Sequence, residues 1–166
     1  MQQTQIAFNN EIIKNCAFTG HRILDEGFSK EKLCETVQTL VERGVRNFFC
    51  GMARGFDLFA AEEVVKQKEK NEKIRLVACV PYYGQEKGYS EEDKKRYVNI
   101  LRKCDMRLTF CETYYKGCEL VRDRYMADQA DVLVAYLKKE SGGTAYTVEY
   151  FQKKHKDREI IYLNEK

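Results

Sequence analysis

The stretch CGMARGFD, from Cys50 to Asp57, most strongly limits what this chain can fold into. A short apolar run leads into it, and a helical pattern with Leu58 and Val65 on one face follows, with Asp57 placed as the N-cap. Glycine lets a backbone approach an anion closely, and the amide groups at a helix N-terminus favour negative charge. The stretch therefore predicts an anion-binding strand–turn–helix unit or an ordinary turn that needs glycine.

The same alternation recurs along the chain, after a polar lead-in or edge strand at residues 1–12. The predicted strands cover residues 15–19, 46–50, 74–80, 106–111, 131–137 and 159–163. The predicted helices run from Ser29 to Gly44, over 58–70, from Ser90 to Cys104, over 117–128, and after Thr144. Alternating strands and helices predict an α/β, Rossmann-like doubly wound fold, with a mainly parallel sheet covered by helices on both faces. Since no linker or repeat interrupts the pattern, we expect one domain over residues 1–166.

The amino-acid composition limits the classes of partner that we expect this protein to bind. The formal net charge of +3 comes from 29 basic and 26 acidic residues that are interspersed along the chain. Such a balance does not favour a nucleic-acid partner, and no apolar stretch is long enough to favour a membrane span. Without a signal-peptide pattern at the N-terminus, we expect a cytoplasmic protein.

The seven cysteines predict neither disulfides nor a metal site. No two have CxxC spacing, and only His21 and His155 are available to complete a metal site. We therefore expect buried reduced thiols, no metal and no cofactor.

Five loops should meet at one edge of the sheet, because every strand-to-helix connection of a parallel sheet lies at its carboxyl edge. These are residues 20–22, 51–57, 81–85, 112–117 and 141–144. They bring arginines that suit phosphate, carboxylates that suit a ribose and tyrosine faces that suit a base. The set predicts a nucleotide-derived ligand, although neither GxxxxGK[ST] nor GxGxxG is present.

The predicted ligand-binding residues are Gly20, His21, Arg22, Gly51, Arg54, Gly55, Asp57, Pro81, Tyr82, Arg122, Gly142, Gly143 and Thr144. Several have structural alternatives. Arg54 would also suit a surface turn, Arg122 an exposed helix position beside an acidic residue, and His21 a turn in which its ring is hydrogen-bonded.

The motifs resemble a known family. Phe18-Thr-Gly-His-Arg22, Gly51-Met-Ala-Arg-Gly-Phe-Asp57 with Ala60-Ala-Glu62, Val80-Pro-Tyr82 with Gln85, Met126 to Val134 and Gly142-Gly-Thr144 look like the YpsA-like (DUF1273) group of the SLOG superfamily. That superfamily is Rossmann-like and includes the Lonely Guy nucleotide phosphoribohydrolases, the DNA-uptake protein DprA and sensors of nucleotide-derived signals. The resemblance implies a nucleotide-related pocket at the same edge.

The catalytic motifs of that superfamily are matched less well than its ligand-binding motifs. The Lonely Guy enzymes carry an arginine four residues before a methionine, as Arg122 and Met126 do here, and a PGGxGTxxE motif whose glutamate assists N-glycoside cleavage. In the matching stretch, residues 141–149, the proline is missing and Glu149 takes the glutamate's place only after a shift in register. Glu149 and Glu62 are the catalytic candidates if the protein is an enzyme. The departure favours binding over turnover.

Three functions follow as hypotheses. The first is a sensor, sponge or regulator that holds a nucleotide-derived small molecule. The alternatives are a phosphoribohydrolase or N-glycosidase, and a DprA-like single-stranded DNA binder, which the even charge distribution disfavours. By the same resemblance, we expect a homodimer or a higher homo-oligomer.

Overall fold

The computed structural model describes residues 14–164, so the predicted lead-in at residues 1–12 lies outside the described part. Within residues 14–164, six strands alternate with five α-helices and one 3₁₀ helix. The strands are β1 (Asn15–Gly20), β2 (Asn47–Cys50), β3 (Arg75–Tyr82), β4 (Met106–Cys111), β5 (Val132–Tyr136) and β6 (Glu159–Tyr162). The helices are α1 (Lys30–Glu42), α2 (Phe56–Lys70), α3 (Glu91–Lys103), α4 (Cys118–Gln129) and α5 (Gly143–Lys154), with the 3₁₀ helix at Gln85–Gly88.

All six strands form one parallel sheet in the order β4-β3-β2-β1-β5-β6, which confirms the predicted Rossmann-like α/β class. The chain moves outward from β1 to β4, returns through α4 to place β5 on the other side of β1, and ends with β6. The direction of winding therefore changes between β1 and β5.

Side chains of successive strand residues enter opposite layers, as the period of a strand requires. Cys16 and Phe18 pack with α1, α2 and α3, whereas Ala17 packs with α4 and α5. Both faces of the central strands are therefore covered. This explains why β5, with every residue buried, reads as a continuous apolar run.

The predicted serine caps are confirmed. Ser29 Oγ accepts from the amide of Lys32, and Ser90 Oγ accepts from the amide of Asp93, each at 3.1 Å. Gly44 ends α1 at a φ of +103°, in the region that glycine adopts most easily. These polar contacts set where α1 and α3 begin.

Two local predictions are wrong. Asp57 is not the N-cap of α2, because Gly55 takes that position and Asp57 lies inside the first turn. Strand β3 does not stop at Pro81 but continues to Tyr82. Its pairing with β2 ends at Ala78, so Pro81 lies where β3 has only β4 beside it and its missing N–H breaks no ladder with β2.

All seven cysteines are free thiols. Cys16, Cys50 and Cys79 are buried as predicted, whereas Cys111 is partly exposed. No helix within residues 14–164 is long and apolar enough to cross a membrane.

Candidate functional site

A cleft of about 830 Å³ opens at the carboxyl edge of the sheet, where the winding direction changes between β1 and β5. The loops after these two strands diverge at this point, which is where open α/β sheets form their ligand crevice. Its walls come from the loop after β1, the start of α2, the first turns of α4 and the loop between β5 and α5. The volume lies within the range of small-molecule sites.

Asp57 and Arg122 form the floor of this cleft, and both are almost completely buried. Arg122 Nη1 donates to the carbonyl oxygen of Gly51 and, at 3.3 Å, to that of Cys79. Gly51 is needed here, since a β-carbon at that residue would lie 2.7 Å from Arg122 Nη1 and 2.9 Å from Asp57 Oδ2. Absence of a side chain at Gly51 therefore allows the two ionisable groups to converge.

The Asp57 carboxyl group is only half satisfied. Its Oδ2 accepts from the amide of Ala53 at 3.3 Å, whereas Oδ1 is buried and has no hydrogen-bond partner among the described residues. Burial raises the pKa of Asp57 to about 7, although the positive charge of Arg122 acts in the opposite direction. A buried acceptor without a partner is unfavourable, and such groups concentrate at functional sites.

The Arg122 guanidinium has more hydrogen-bond partners than the Asp57 carboxyl group. Its Nε donates to Asp123 Oδ1 at 2.7 Å, so with the two bonds from Nη1 the group donates three hydrogen bonds. Burial acts to lower the pKa of Arg122, but the negative charges of Asp123 and Asp57 act to raise it and outweigh burial. The net shift of the Arg122 pKa is therefore upward. Arg122 therefore remains a fixed positive charge beneath the cleft.

Three helices begin at the cleft with glycine as N-cap: Gly55 for α2, Gly117 for α4 and Gly142 for α5. All three have positive φ, at +80°, +95° and +101°, and none supplies a side-chain acceptor to the first turn. By contrast, Ser29 and Ser90 cap α1 and α3 with hydroxyl oxygens. The first amide of α2, Phe56 N, donates to the carbonyl oxygen of His21, and the first amide of α4, Cys118 N, donates to that of Tyr115. The N-terminus of α5 at Gly142 and Gly143 is therefore the helix end best placed to bind an external anion.

Arg22, Arg54 and Glu119 lie at the rim, where the cleft meets a second cavity of about 350 Å³. Arg22 donates to Glu119 Oε2 across the gap between the loop after β1 and the first turn of α4. Arg54 is exposed and forms no hydrogen bond or ion pair with residues 14–164. Its charge is therefore available to a ligand.

His21 joins two loops of the cleft. Its Nε2 accepts from the amide of Lys138 at 2.8 Å, and its carbonyl oxygen accepts from the amide of Phe56 at 3.1 Å. Burial and Lys139 lower the pKa of His21. Since Nε2 must be unprotonated to accept, His21 is neutral and ties the loop after β1 to the loop after β5.

The predicted ligand-binding residues divide into those in the walls and those beneath them. The cleft walls include Gly20, His21, Arg22, Arg54, Asp57, Arg122, Gly142, Gly143 and Thr144. Tyr82 lines the second cavity instead. Gly51, Gly55 and Pro81 line neither cavity, although Gly51 supports the floor and Gly55 packs against the backbone of Arg22.

The two catalytic candidates lie elsewhere. Glu149 is exposed on α5 and pairs with Lys153 at 2.6 Å. Glu62 pairs with Arg96 on α3 at 2.5 Å. Neither lines the cleft, so the carboxyl group that the structure places in the floor is that of Asp57.

The predicted binding residues lack several wall residues: Thr19, Lys116, Glu119, Leu120, Asp123 and Lys139. Of these, Lys116 lies in the predicted edge loop 112–117, and Glu119 and Asp123 lie in the first two turns of the helix that follows it. Counting the first two helical turns after each edge loop as part of the edge would have found Glu119 and Asp123.

The strand order and the crevice beyond it define the class: a Rossmann-like, doubly wound α/β protein with an open cleft at its topological switch point. Within that class the chain belongs to the YspA SLOG family, whose sequence profile (YpsA) matches residues 25–164. The resemblance inferred from the motifs is thereby confirmed.

Relatives with similar sequences extend over most of this chain. A UPF0398 protein of Halalkalibacterium halodurans is 28% identical over 130 residues, which cover 76% of this chain and 69% of the relative. A UPF0398 protein of Bacillus pumilus is 22% identical over 163 residues, covering 91% and 88%.

Two solved structures of DNA processing protein A share the fold. The Streptococcus pneumoniae protein superposes with a TM-score of 0.67 at 18% identity over 92% of this chain, which spans about half (51%) of that protein. The Helicobacter pylori protein, whose structure is described for its single-stranded DNA binding mode, gives a TM-score of 0.66 at 19% identity over 96% of this chain and 67% of its own.

Proposed function

We propose that the cleft between β1 and β5 binds a nucleotide-derived small molecule and that the protein acts as a sensor, sponge or regulator of it. The observation that carries this proposal is the floor formed by Asp57 and Arg122. It holds a buried carboxyl oxygen that has no partner in the described part of the chain, directly below an open cleft. A ligand that donates a hydrogen bond to Asp57 Oδ1 would satisfy that atom.

The chemistry of the walls supports a nucleotide rather than another small molecule. The open N-terminus of α5 at Gly142 and Gly143 and the unpaired charge of Arg54 suit phosphate oxygens. Ribose hydroxyl groups are donors that suit Asp57 Oδ1. Phosphate sites and a hydroxyl site in one cleft match the two polar parts of a nucleotide.

A thermal-shift panel tests this proposal. It uses AMP, ADP-ribose, NAD, cyclic ADP-ribose isomers and cyclic dinucleotides, and each hit is incubated with the protein and analysed by chromatography. A ligand at 100 times its dissociation constant stabilises the fold by about 2.7 kcal/mol. We expect a positive shift with the ligand recovered intact.

The matched variants are Arg54→Ala at the cleft rim and Arg75→Ala at the opposite edge of the sheet, both of which replace an exposed arginine. Arg54→Ala should remove most of the shift, and Arg75→Ala should retain it. Absence of a shift across the panel, or equal losses in the two variants, contradicts the proposal.

A second candidate is an N-glycosidase or phosphoribohydrolase, and the specific observation in its favour is Asp57 itself. A carboxyl group with a pKa of about 7 is poised to exchange a proton near neutral pH. Water would attack the anomeric carbon, the glycosidic C–N bond would break, and the base would leave with a proton. Release of free base in the chromatographic analysis, lost in Asp57→Asn, would establish this activity.

The third candidate is single-stranded DNA binding, which follows from the motif resemblance and from the fold shared with the Helicobacter pylori protein. An oligonucleotide added to the panel at several salt concentrations tests it, since binding driven by the phosphate backbone weakens steeply as salt rises.

We also propose a cytoplasmic location, in keeping with seven free thiols, and self-association. Size-exclusion chromatography with light scattering measures the self-association.

A further inference from the structure

The second cavity adjoins the candidate cleft, with which it shares three lining residues. It measures about 350 Å³ and is lined by the end of β3 and the 3₁₀ helix, including Tyr82, Gln85 and Lys87. Arg22, Arg54 and Glu119 belong to the walls of both cavities. A ligand that reaches this rim from the larger cleft would therefore lie beside the smaller cavity.

The two cavities also share a floor. The carbonyl oxygen of Gly51 accepts from Arg122 Nη1 on the side of the larger cleft and from Gln85 Nε2, at 3.1 Å, on the side of the smaller one. Gln85 is held in turn by Tyr97, whose hydroxyl donates to Gln85 Oε1 at 3.1 Å. All three side chains are buried, so the smaller cavity is built on fixed contacts.

Positive charge concentrates along the passage between the cavities. Arg54 and Lys87 are exposed and form no ion pair with residues 14–164, whereas Arg22 pairs with Glu119. Arg22 and Glu119 are partly exposed, at 54% and 28% of their side chains, so this ion pair is open to exchange with another anion. Phosphate groups crossing the passage would find three cations within it.

The smaller cavity offers an aromatic face. Tyr82 is partly exposed, and its ring meets the ring of Tyr114 edge-on, with centroids 5.3 Å apart and planes at 72°. This contact fixes the Tyr82 ring from one side. Tyrosine faces of this kind stack nucleobases without regard to sequence.

We propose that the smaller cavity holds the second nucleoside of a ligand in which two nucleosides are joined through phosphate groups. The first nucleoside lies over Asp57 in the larger cleft, the phosphates lie at Arg54 and displace Glu119 from Arg22, and the second base stacks on Tyr82. This inference rests on the proposed function and names the ligand class of that same site.

The test compares ligands with one and two nucleosides by isothermal titration of the full chain. ADP is the single-nucleoside probe, and diadenosine pyrophosphate and cyclic di-AMP are the linear and cyclic two-nucleoside probes. We expect one of the latter to bind at least about tenfold more tightly than ADP, the scale of one base stacked on an aromatic side chain. Tyr82→Ala should reduce its affinity to that of ADP and leave ADP binding unchanged.

Two controls separate stacking from loss of structure. Tyr82→Phe keeps the ring and should retain the preference for two nucleosides. Tyr83→Ala replaces the neighbouring tyrosine, which is 61% exposed and lines neither cavity, and should behave as the wild type.

The outcomes distinguish the two proposals. If ADP binds and neither two-nucleoside probe binds more tightly, or if Tyr82→Ala weakens all probes equally, the assignment of the smaller cavity is overturned while nucleotide binding stands. If no probe binds the wild-type protein, the proposed function fails and this inference fails with it.

Discussion

The Asp57 carboxyl group and the Arg122 guanidinium lie against the same face of Gly51, within 3 Å of where a β-carbon on that glycine would be. They come from different helices and meet beneath the cleft because Gly51 has no side chain. Arg122 donates three hydrogen bonds, whereas one oxygen of Asp57 has no hydrogen-bond partner within residues 14–164. The pair therefore combines a fixed charge with a buried acceptor that is not satisfied within that part of the chain.

Arg122→Met should destabilise the protein by about 3–5 kcal/mol, because it leaves the buried carbonyl of Gly51 and the carboxyl group of Asp57 without their cation. Urea denaturation at neutral pH measures the change. Arg124→Met is the matched control on the same helix: Arg124 is partly exposed and bonds Tyr146 Oη, so its loss should cost less than about 1 kcal/mol. Similar losses in the two variants would contradict a structural role for Arg122 in the floor.

The arrangement of this floor shows how far sequence reasoning reaches. The parallel sheet and its functional edge follow from the alternation of strands and helices, and the edge loops near Arg54 and Gly142 were predicted to meet. The contact between Arg122 and Gly51 spans 71 residues. Its existence depends on α4 returning across the sheet, which local patterns do not encode.

The two wrong predictions, the N-cap at Asp57 and the strand end at Pro81, each concern the end of a single element. An aspartate before a helical pattern is a common N-cap, but the positive φ of Gly55 ended the turn two residues earlier and placed Asp57 inside the helix. Proline commonly ends a strand, but the short partner β2 left Pro81 beyond the part of β3 that pairs with β2, where only β4 lies beside it. Both outcomes were decided by neighbouring segments rather than by the residue itself.

The stability of the unliganded protein should fall as pH rises from about 4 to about 7, through the contribution of Asp57. Its pKa is raised from 3.8 to about 7 in the folded state, so the folded protein binds more protons than the unfolded chain in that window. The stabilisation is complete below the unfolded pKa and is lost as pH rises through the folded one.

Asp57→Asn should flatten this dependence and stabilise the unliganded protein by a few kcal/mol at pH 8, since the amide carries no charge to bury. Urea denaturation at pH 5, 6, 7 and 8 measures both proteins. Parallel pH profiles for the wild type and Asp57→Asn would show that Asp57 does not titrate in this window.

Gly55→Ala should be far more harmful than Gly117→Ala, although both glycines have positive φ and begin helices at the cleft. A β-carbon at Gly55 would lie 2.2 Å from the carbonyl oxygen of Arg22, whereas no atom of residues 14–164 would lie within 4 Å of one at Gly117. We expect a loss of about 1–2 kcal/mol for Gly117→Ala, from backbone strain alone, and more than about 3 kcal/mol for Gly55→Ala. Thermal denaturation compares them, and equal melting temperatures would be inconsistent with the close packing of these loops.

Glu149→Gln and Glu62→Gln should leave ligand affinity within about twofold of the wild type, a difference below about 0.5 kcal/mol. Both carboxylates are paired outside the cleft, Glu149 with Lys153 and Glu62 with Arg96. Titration with the best ligand of the panel measures the effect. A tenfold loss in Glu149→Gln would place the ligand on α5 rather than over Asp57.

The central claim is that a nucleotide-derived ligand occupies the cleft between β1 and β5. At 19.5 kDa the protein suits amide mapping by nuclear magnetic resonance, in which isotope-labelled chain is titrated with the best ligand of the panel. We predict that the largest shifts fall on residues 20–22, 53–57, 117–123 and 141–144, with little change at the amino edge of the sheet. Saturable shifts centred on any other surface, or no shifts with any ligand of the panel, would contradict the account.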